Sequence, residues 1–244
     1  MALSNTARPI EGAVATLGVS DRVAFLRKTY GLLGVALIAW AAITAGMMTY
    51  MQTTSLKFAS FALGGPWNWL IILGAFMGVG WVAQRLAMSE TSRGLQYVGL
   101  LVAVVAEALI VQPLLWIAIL KFGPSGGNEL IMQAGLITMV IFGGLTATVF
   151  ITKKDFSFMR GALTIASFAF LGIILSSMLF GFHLGGIFAG IGILLMSGYI
   201  LYYTSVVMKD FPPTAHVSAA LILFSTIATL FWYVLQLLMS LRNN

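Results

Sequence analysis

Apolar residues run for about 20 positions at a time along this chain, and polar residues gather almost wholly between the runs. A run of that length matches the hydrocarbon thickness of a bilayer at the helical rise of about 1.5 Å per residue. Seven such runs are predicted to be membrane-spanning helices: Tyr30–Met51, Trp67–Met88, Gln96–Leu120, Leu130–Thr152, Gly161–Phe180, Leu184–Met208 and Val217–Leu241. The loops between them are too short for a second folded domain. The chain therefore reads as all-α: a polar segment, residues 1–29, followed by a single seven-helix transmembrane bundle, residues 30–244.

Composition supports this pattern. The 244 residues are 60% hydrophobic and only 8% charged, against about 25% charged in a soluble domain. The net charge of +6 would suggest nucleic acid in a soluble protein. Here it follows from loop bias, so the expected partner is the lipid bilayer and no nucleic acid is expected. Arg8, Arg22, Arg27, Lys28, Arg85, Arg93, Lys153, Lys154, Arg160 and Lys209 fall on one side, and only Lys57, Lys121 and Arg242 on the other. That imbalance predicts a cytoplasmic N-terminus and an external C-terminus. The absence of cysteine excludes disulfides, thiol catalysis and thiolate metal sites.

Small and polar residues inside the runs suggest how the helices meet. Gly31, Gly34 and Gly46, with the spaced pairs Gly74/Gly78 and Gly186/Gly190, are expected to pack closely against neighbouring helices. Gly143-Gly144 and Pro113 are candidate hinges. Ser218, Ser225, Thr229 and Gln236 share one face of the last helix, with Thr226 beside it. Such a stripe faces helices or water, and bonds between helices are its plainest use. Tyr199, Tyr202 and Tyr203 suggest an interfacial aromatic belt. Asp155, between Lys154 and Arg160, reads as a solvated, charge-balanced loop residue. Lys153, Lys154 and Arg160 are placed to touch lipid headgroups.

Glu107 is the residue that composition does not explain. It lies in the run Gly99–Pro113, with Arg93 and Lys121 the nearest bases along the chain. Each is about 20 Å away along a helix. A lone carboxyl at the midplane costs several kcal/mol unless protonated, hydrogen-bonded or wet. It is the candidate ion-pathway residue; its bland alternative is a neutral carboxyl donating to a neighbouring helix.

Three motifs carry a resemblance. They are Phe25-Leu26-Arg27-Lys28-Thr29-Tyr30 before the first run, Lys153-Lys154-Asp155-Phe156-Ser157-Phe158 after a run ending Thr146-Ala147-Thr148-Val149-Phe150, and Ser197-Gly198-Tyr199-Ile200-Leu201-Tyr202. Together they resemble the Bax-inhibitor family of seven-helix membrane proteins in its compact bacterial form. The resemblance implies a pH-sensitive calcium leak, protection from stress-induced death and, in some bacterial members, restraint of a membrane protease. It also implies a latch of two aspartates, whose positions here are Tyr203 and Thr226, so the proton switch is missing in its usual form. A pattern Glu-x-Leu-x-x-x-Pro is matched by Glu107, Leu109 and Pro113.

A protease reading is excluded. Gly123-Pro124-Ser125-Gly126 and Ala215-His216 resemble rhomboid motifs, but the predicted topology puts Ser125 and His216 about 30 Å apart, where about 3 Å is required. His183 and His216 sit at opposite membrane faces and cannot share a metal. With no phosphate loop, metal cluster or nucleotide motif, neither enzyme activity nor a cofactor is expected. Two expectations remain: a cation leak for calcium or protons through Glu107, or a non-conducting subunit that binds another membrane complex.

Overall fold

A computed structural model describes residue 14 and residues 18–89, 92–181 and 184–243. Arg8 and His183, each used in the sequence reading, lie outside the described residues. The helices are α1 (Val19–Thr49), α2 (Gln52–Leu63), α3 (Pro66–Ala87), α4 (Arg93–Ile110), α5 (Gln112–Thr152), α6 (Arg160–Phe180), α7 (Gly186–Lys209) and α8 (His216–Leu241). No strand occurs among the described residues. Six continuous helical stretches there are long and apolar enough to cross a membrane.

One of those stretches, Arg93–Thr152, makes two crossings. Gly123 has φ 76° and ψ 166° in the middle of α5, a conformation that side chains strongly disfavour. A Cβ placed on Gly127 would lie 2.7 Å from the Ile119 Cα and 2.8 Å from the Ala118 carbonyl oxygen. In a straight helix, residues eight apart are separated by about 12 Å. The chain therefore folds back at Gly123, and residues 112–122 and 124–152 are two arms. With α1, α3, α6, α7 and α8, and α4 continued by the first arm, this makes the seven crossings that the hydropathy pattern predicts.

Both α1 and α2 depart from the expectation. α1 begins at Val19, eleven residues before the predicted first span, so the motif around Arg27 and Lys28 is helical. α2 is an extra helix, too short to span, in the loop after α1. It is held by a buried polar cluster: the Ser55 hydroxyl donates to Gln112 Oε1 at 2.7 Å and accepts the Trp116 indole N–H at 2.8 Å. Gln112 in turn donates to the Ala108 carbonyl at 3.0 Å. Pro113 breaks the helix as expected: α4 ends at Ile110 and α5 starts at Gln112. Gly143-Gly144 is no hinge; the helix runs through it unbroken.

The expected glycine contacts mostly do not occur. A Cβ on Gly31, Gly34, Gly46, Gly74, Gly78 or Gly190 would meet nothing within 4 Å; of these pairs only Gly186 is crowded, against Ser240. The spacing puts two small residues on one face but does not say which face is covered. α3 reaches α4 instead through Ala83 and Ala87, both fully buried, against Gly99. A Cβ at Gly99 would lie 2.5 Å from the Ala83 carbonyl oxygen.

The core is centred on α8, whose Ala220, Leu223, Phe224, Ile227, Leu230 and Leu235 are fully buried. α1, α4, α5 and α7 surround it. Outward faces are apolar, as on α6, where Ile165 and Phe168 are each 72% exposed. An exposed surface of this kind is stable against lipid chains and unstable in water. The chain is an integral membrane protein.

Two contacts tie the ends of the bundle. Where α1 begins, the Val14 N–H donates to the Phe211 carbonyl at 2.9 Å. At the opposite end, Arg242 after α8 bonds the Gly126 carbonyl and Glu129, each at 3.3 Å. Ser125 is therefore near the far end of α8, about 39 Å along the helix from His216, consistent with excluding the protease.

Candidate functional site

Glu107 is carried by α4 to the middle of the bundle and is 8% exposed. It lies fourteen residues into α4, about 21 Å from the face where that helix starts. There it borders a cavity of about 370 Å³. α3 supplies Met77, Gly80 and Gln84 to the wall, α7 supplies Tyr199 and Tyr203, and α8 supplies Ser225, Thr226 and Thr229.

These depths give the cavity a direction. Gln84 is about 5 Å from the end of α3, Tyr203 about 9 Å from the end of α7 and Thr229 about 20 Å into α8, all measured from the face where α1 begins. The cavity therefore occupies that half of the bundle, with Glu107 at its deep end. Beyond it the path is packed shut: Val111, Gln112, Leu114 and Leu115 are at most 4% exposed, and the Ser55–Gln112–Trp116 cluster closes over them.

The polarity of the wall follows from where its protons go. Ser225 lines the wall beside Glu107. The Thr226 hydroxyl donates to the Ile222 carbonyl and the Thr229 hydroxyl to the Ser225 carbonyl, each at 2.8 Å. Their protons are thus directed into the helix backbone, and their lone pairs remain for the cavity. The α8 wall beside the carboxyl is therefore one of oxygen acceptors, with the Gln84 amide and the Tyr203 hydroxyl as donors elsewhere on the lining. That arrangement suits a proton or a hydrated cation and disfavours an anion.

The structure brings together Glu107, Tyr203, Thr226, Ser225 and Thr229. Ser218 and Gln236, on the same predicted stripe, do not line the cavity. Ser218 donates to the Ala215 carbonyl at 3.0 Å, and Gln236 Oε1 is buried without a partner among the described residues. The stripe is thus satisfied mainly by its own backbone and not by bonds between helices. The threonines do so because a hydroxyl in a helix reaches the carbonyl four residues back at no cost in side-chain reach.

The predicted aromatic belt is also revised. Tyr199 and Tyr203 stack at 5.3 Å and face the cavity. The Tyr199 hydroxyl shares a hydrogen bond of 2.8 Å with Ser167, which fastens α6 to α7. Asp155 is balanced by neither Lys154 nor Arg160: it pairs with Lys209 of α7 at 3.1 Å and accepts the Ser157 N–H at 2.9 Å. Partial burial works to raise the Asp155 pKa, but the Ser157 hydrogen bonds and the Lys209 ammonium outweigh it and hold the carboxyl at about 2. Gln84 and Met77, on the α3 side, were not identified from the sequence; only the period of α3 could have placed Gln84, Gly80 and Met77 on one face.

Comparison with known proteins agrees with this architecture. The family model described as "Inhibitor of apoptosis-promoting Bax1" matches residues 22–243. Bax inhibitor 1 of Schizosaccharomyces pombe is 30% identical over 236 residues, which is 95% of this chain and 82% of that protein. The Golgi anti-apoptotic protein of Vaccinia virus is 28% identical over 233 residues, 93% of this chain and 89% of its own. An uncharacterized protein of Pseudomonas aeruginosa is 30% identical over 216 residues, 87% of each chain. The match begins inside α1 and runs past the end of α8, so it takes in every crossing and the whole Glu107 cavity. With seven crossings and a match of that extent, this chain belongs to the Bax-inhibitor family.

Proposed function

We propose that this protein is a slow cation leak in a bacterial inner membrane, with Glu107 as the one charged group of the path. The observation that carries the reading is a mid-bundle carboxyl at the deep end of a cavity whose threonine oxygens present only lone pairs. A single carboxylate with neutral oxygens matches a proton or one positive charge. It is a poor cage for calcium, which usually takes 6–8 oxygens and more than one carboxylate. Calcium passage would then be weak and proton passage favoured. The positions of the family's latch acids, Tyr203 and Thr226, border the same cavity without carrying charge, so flux should lack a two-carboxylate switch. The charge count across the loops supports a cytoplasmic N-terminus, so the cavity opens toward the cytoplasm. The bacterial relative supports the bacterial setting. The anti-apoptotic name of the viral relative supports a role in stress tolerance.

The test is flux in proteoliposomes loaded with calcium-sensitive and pH-sensitive dyes. The wild-type chain should exceed empty liposomes, and Glu107→Gln should lower its rate by about tenfold, equivalent to a barrier about 1.4 kcal/mol higher. Flux no greater than that of empty liposomes removes the leak altogether. Flux indifferent to Glu107→Gln removes that residue's role.

A second reading is a non-conducting subunit that docks on another membrane complex, such as a protease. Its support is the open space at Gly74 and Gly78 of α3, small residues that no helix of this chain covers. Absence of flux, with a second membrane protein retained through mild detergent extraction, would favour this reading.

A further inference from the structure

At the face where α1 begins, away from the Glu107 cavity, three separate parts of the chain deliver bases to one cleft. Arg22 comes from α1, Lys153 and Lys154 from the end of α5, and Lys209 from the end of α7. The cleft has a volume of about 90 Å³, with Val149 and Met208 on its apolar side. Ser205 also borders it, but its hydroxyl is already used, accepting the Phe156 N–H at 3.1 Å and directed at Asp155 at 3.4 Å. Lys153 caps α5 in the left-handed region, φ 52° and ψ 20°, a position that helix ends usually give to glycine. The chain leaves the helix path at this residue, and both Lys153 and Lys154 border the cleft.

The charges do not cancel. Among the described residues, Lys209 alone of the four bases has a carboxylate partner, Asp155 at 3.1 Å. The carbonyl ends of α5 and α7 each contribute roughly half a negative charge. Asp210 also lies close enough to act on Lys209 and Asp155, so four cations against two carboxylates and two helix ends leave a net charge of about +1. Loop bases set only by membrane orientation would be spread over a solvated surface; here they converge on a recess of headgroup-oxygen size with an apolar floor.

We propose that this cleft binds a phosphate group, drawn either from an anionic lipid headgroup or from solution. Val149 and Met208, buried at 1% and 9% exposure, form only the floor of the cleft, so a lipid or a free phosphate would be held by the rim of bases. A phosphate diester carries one negative charge, which matches the charge the cleft leaves uncompensated. The site does not depend on Glu107 or on conduction.

The full chain in nanodiscs tests it with two probes. The first is phosphatidylglycerol present as a minority in phosphatidylcholine, with retained lipid counted by native mass spectrometry after release into neutral detergent. The second is inorganic phosphate titrated onto phosphatidylcholine-only nanodiscs and followed by phosphorus NMR. At about 1 kcal/mol per base near an anionic surface, the double variant Lys153→Gln, Lys154→Gln should lose about tenfold or more in retention. Arg22→Gln, on a different helix, should lose several-fold, whereas Lys57→Gln at the opposite face should match wild type. Phosphatidylglycerol retained by wild type and lost in both cleft variants identifies a lipid headgroup as the source. Phosphate binding lost in both, without lipid enrichment, identifies solution phosphate. Cleft variants that match wild type with both probes overturn the proposal.

Discussion

Asp155 and Glu107 show how differently one carboxyl behaves at the two depths. Asp155 is about half exposed, and its partners hold its pKa at about 2, below the ordinary aspartate value. A pKa lowered by folding contributes stability that is fully present above the unfolded value of about 4. That contribution is lost as pH falls from about 4 toward 2. Because the pair is half solvated, Asp155→Asn should cost no more than about 1 kcal/mol at pH 7. Hydrogen exchange at the Phe156 and Ser157 amides should nevertheless quicken several-fold, and an unchanged rate would show that the loop holds without this cap. Glu107 lacks a basic partner among the described residues and has Ser225 beside it on the cavity wall. Its isolation was legible because seven acids are few enough for one inside an apolar run to stand out. Its surroundings were not. Helical period put Ser225 and Thr229 on one face, yet nothing in the sequence says that Gln236 lies on that face and misses the cavity.

At the level of elements, the hydropathy pattern located the crossings and failed where contact decides. α2 is too short and too mixed to register as a span, and Ser55 looks like any loop serine. Its importance comes from Gln112 and Trp116, 57 and 61 residues away. Ser55→Ala would leave the Gln112 amide oxygen and the Trp116 indole N–H buried without a partner. A cost of about 1–3 kcal/mol in reversible unfolding is expected, with faster exchange confined to α2 and the first arm of α5. Ser60→Ala, on an exposed position of the same helix, should change little. The glycines make the same point more sharply. Gly99→Leu should separate α3 from α4 and prevent a stable fold, because its first added carbon already meets backbone. Gly78→Ala meets nothing and should match wild type within about 0.5 kcal/mol in detergent. Spacing ranked Gly78 above Gly99, since a sequence shows which glycines share a face but not which face finds a neighbour.

The whole molecule has a cavity in one half and a packed plug in the other, and that asymmetry can be read with chemistry the chain itself lacks. There is no cysteine anywhere in the sequence, so any single introduced thiol reports without background. Ser157 sits in the loop that leads into α6, at the end where α1 begins, and Ser125 sits at the Gly123 fold-back beside Arg242, at the other. Ser157→Cys and Ser125→Cys should therefore be modified by a membrane-impermeant maleimide from opposite sides of right-side-out vesicles. If the charge imbalance sets orientation, Ser125→Cys labels in intact vesicles and Ser157→Cys only after they are opened. The cavity adds a third position: Thr229→Cys is about 20 Å deep on the Ser157 side. A small charged thiol reagent should reach it from that side alone, because the packed segment from Val111 to Leu115 blocks the other. Modification of Thr229→Cys from the Ser125 side would mean that the plug opens at rest, and the half-membrane cavity would have to be replaced by a continuous pore.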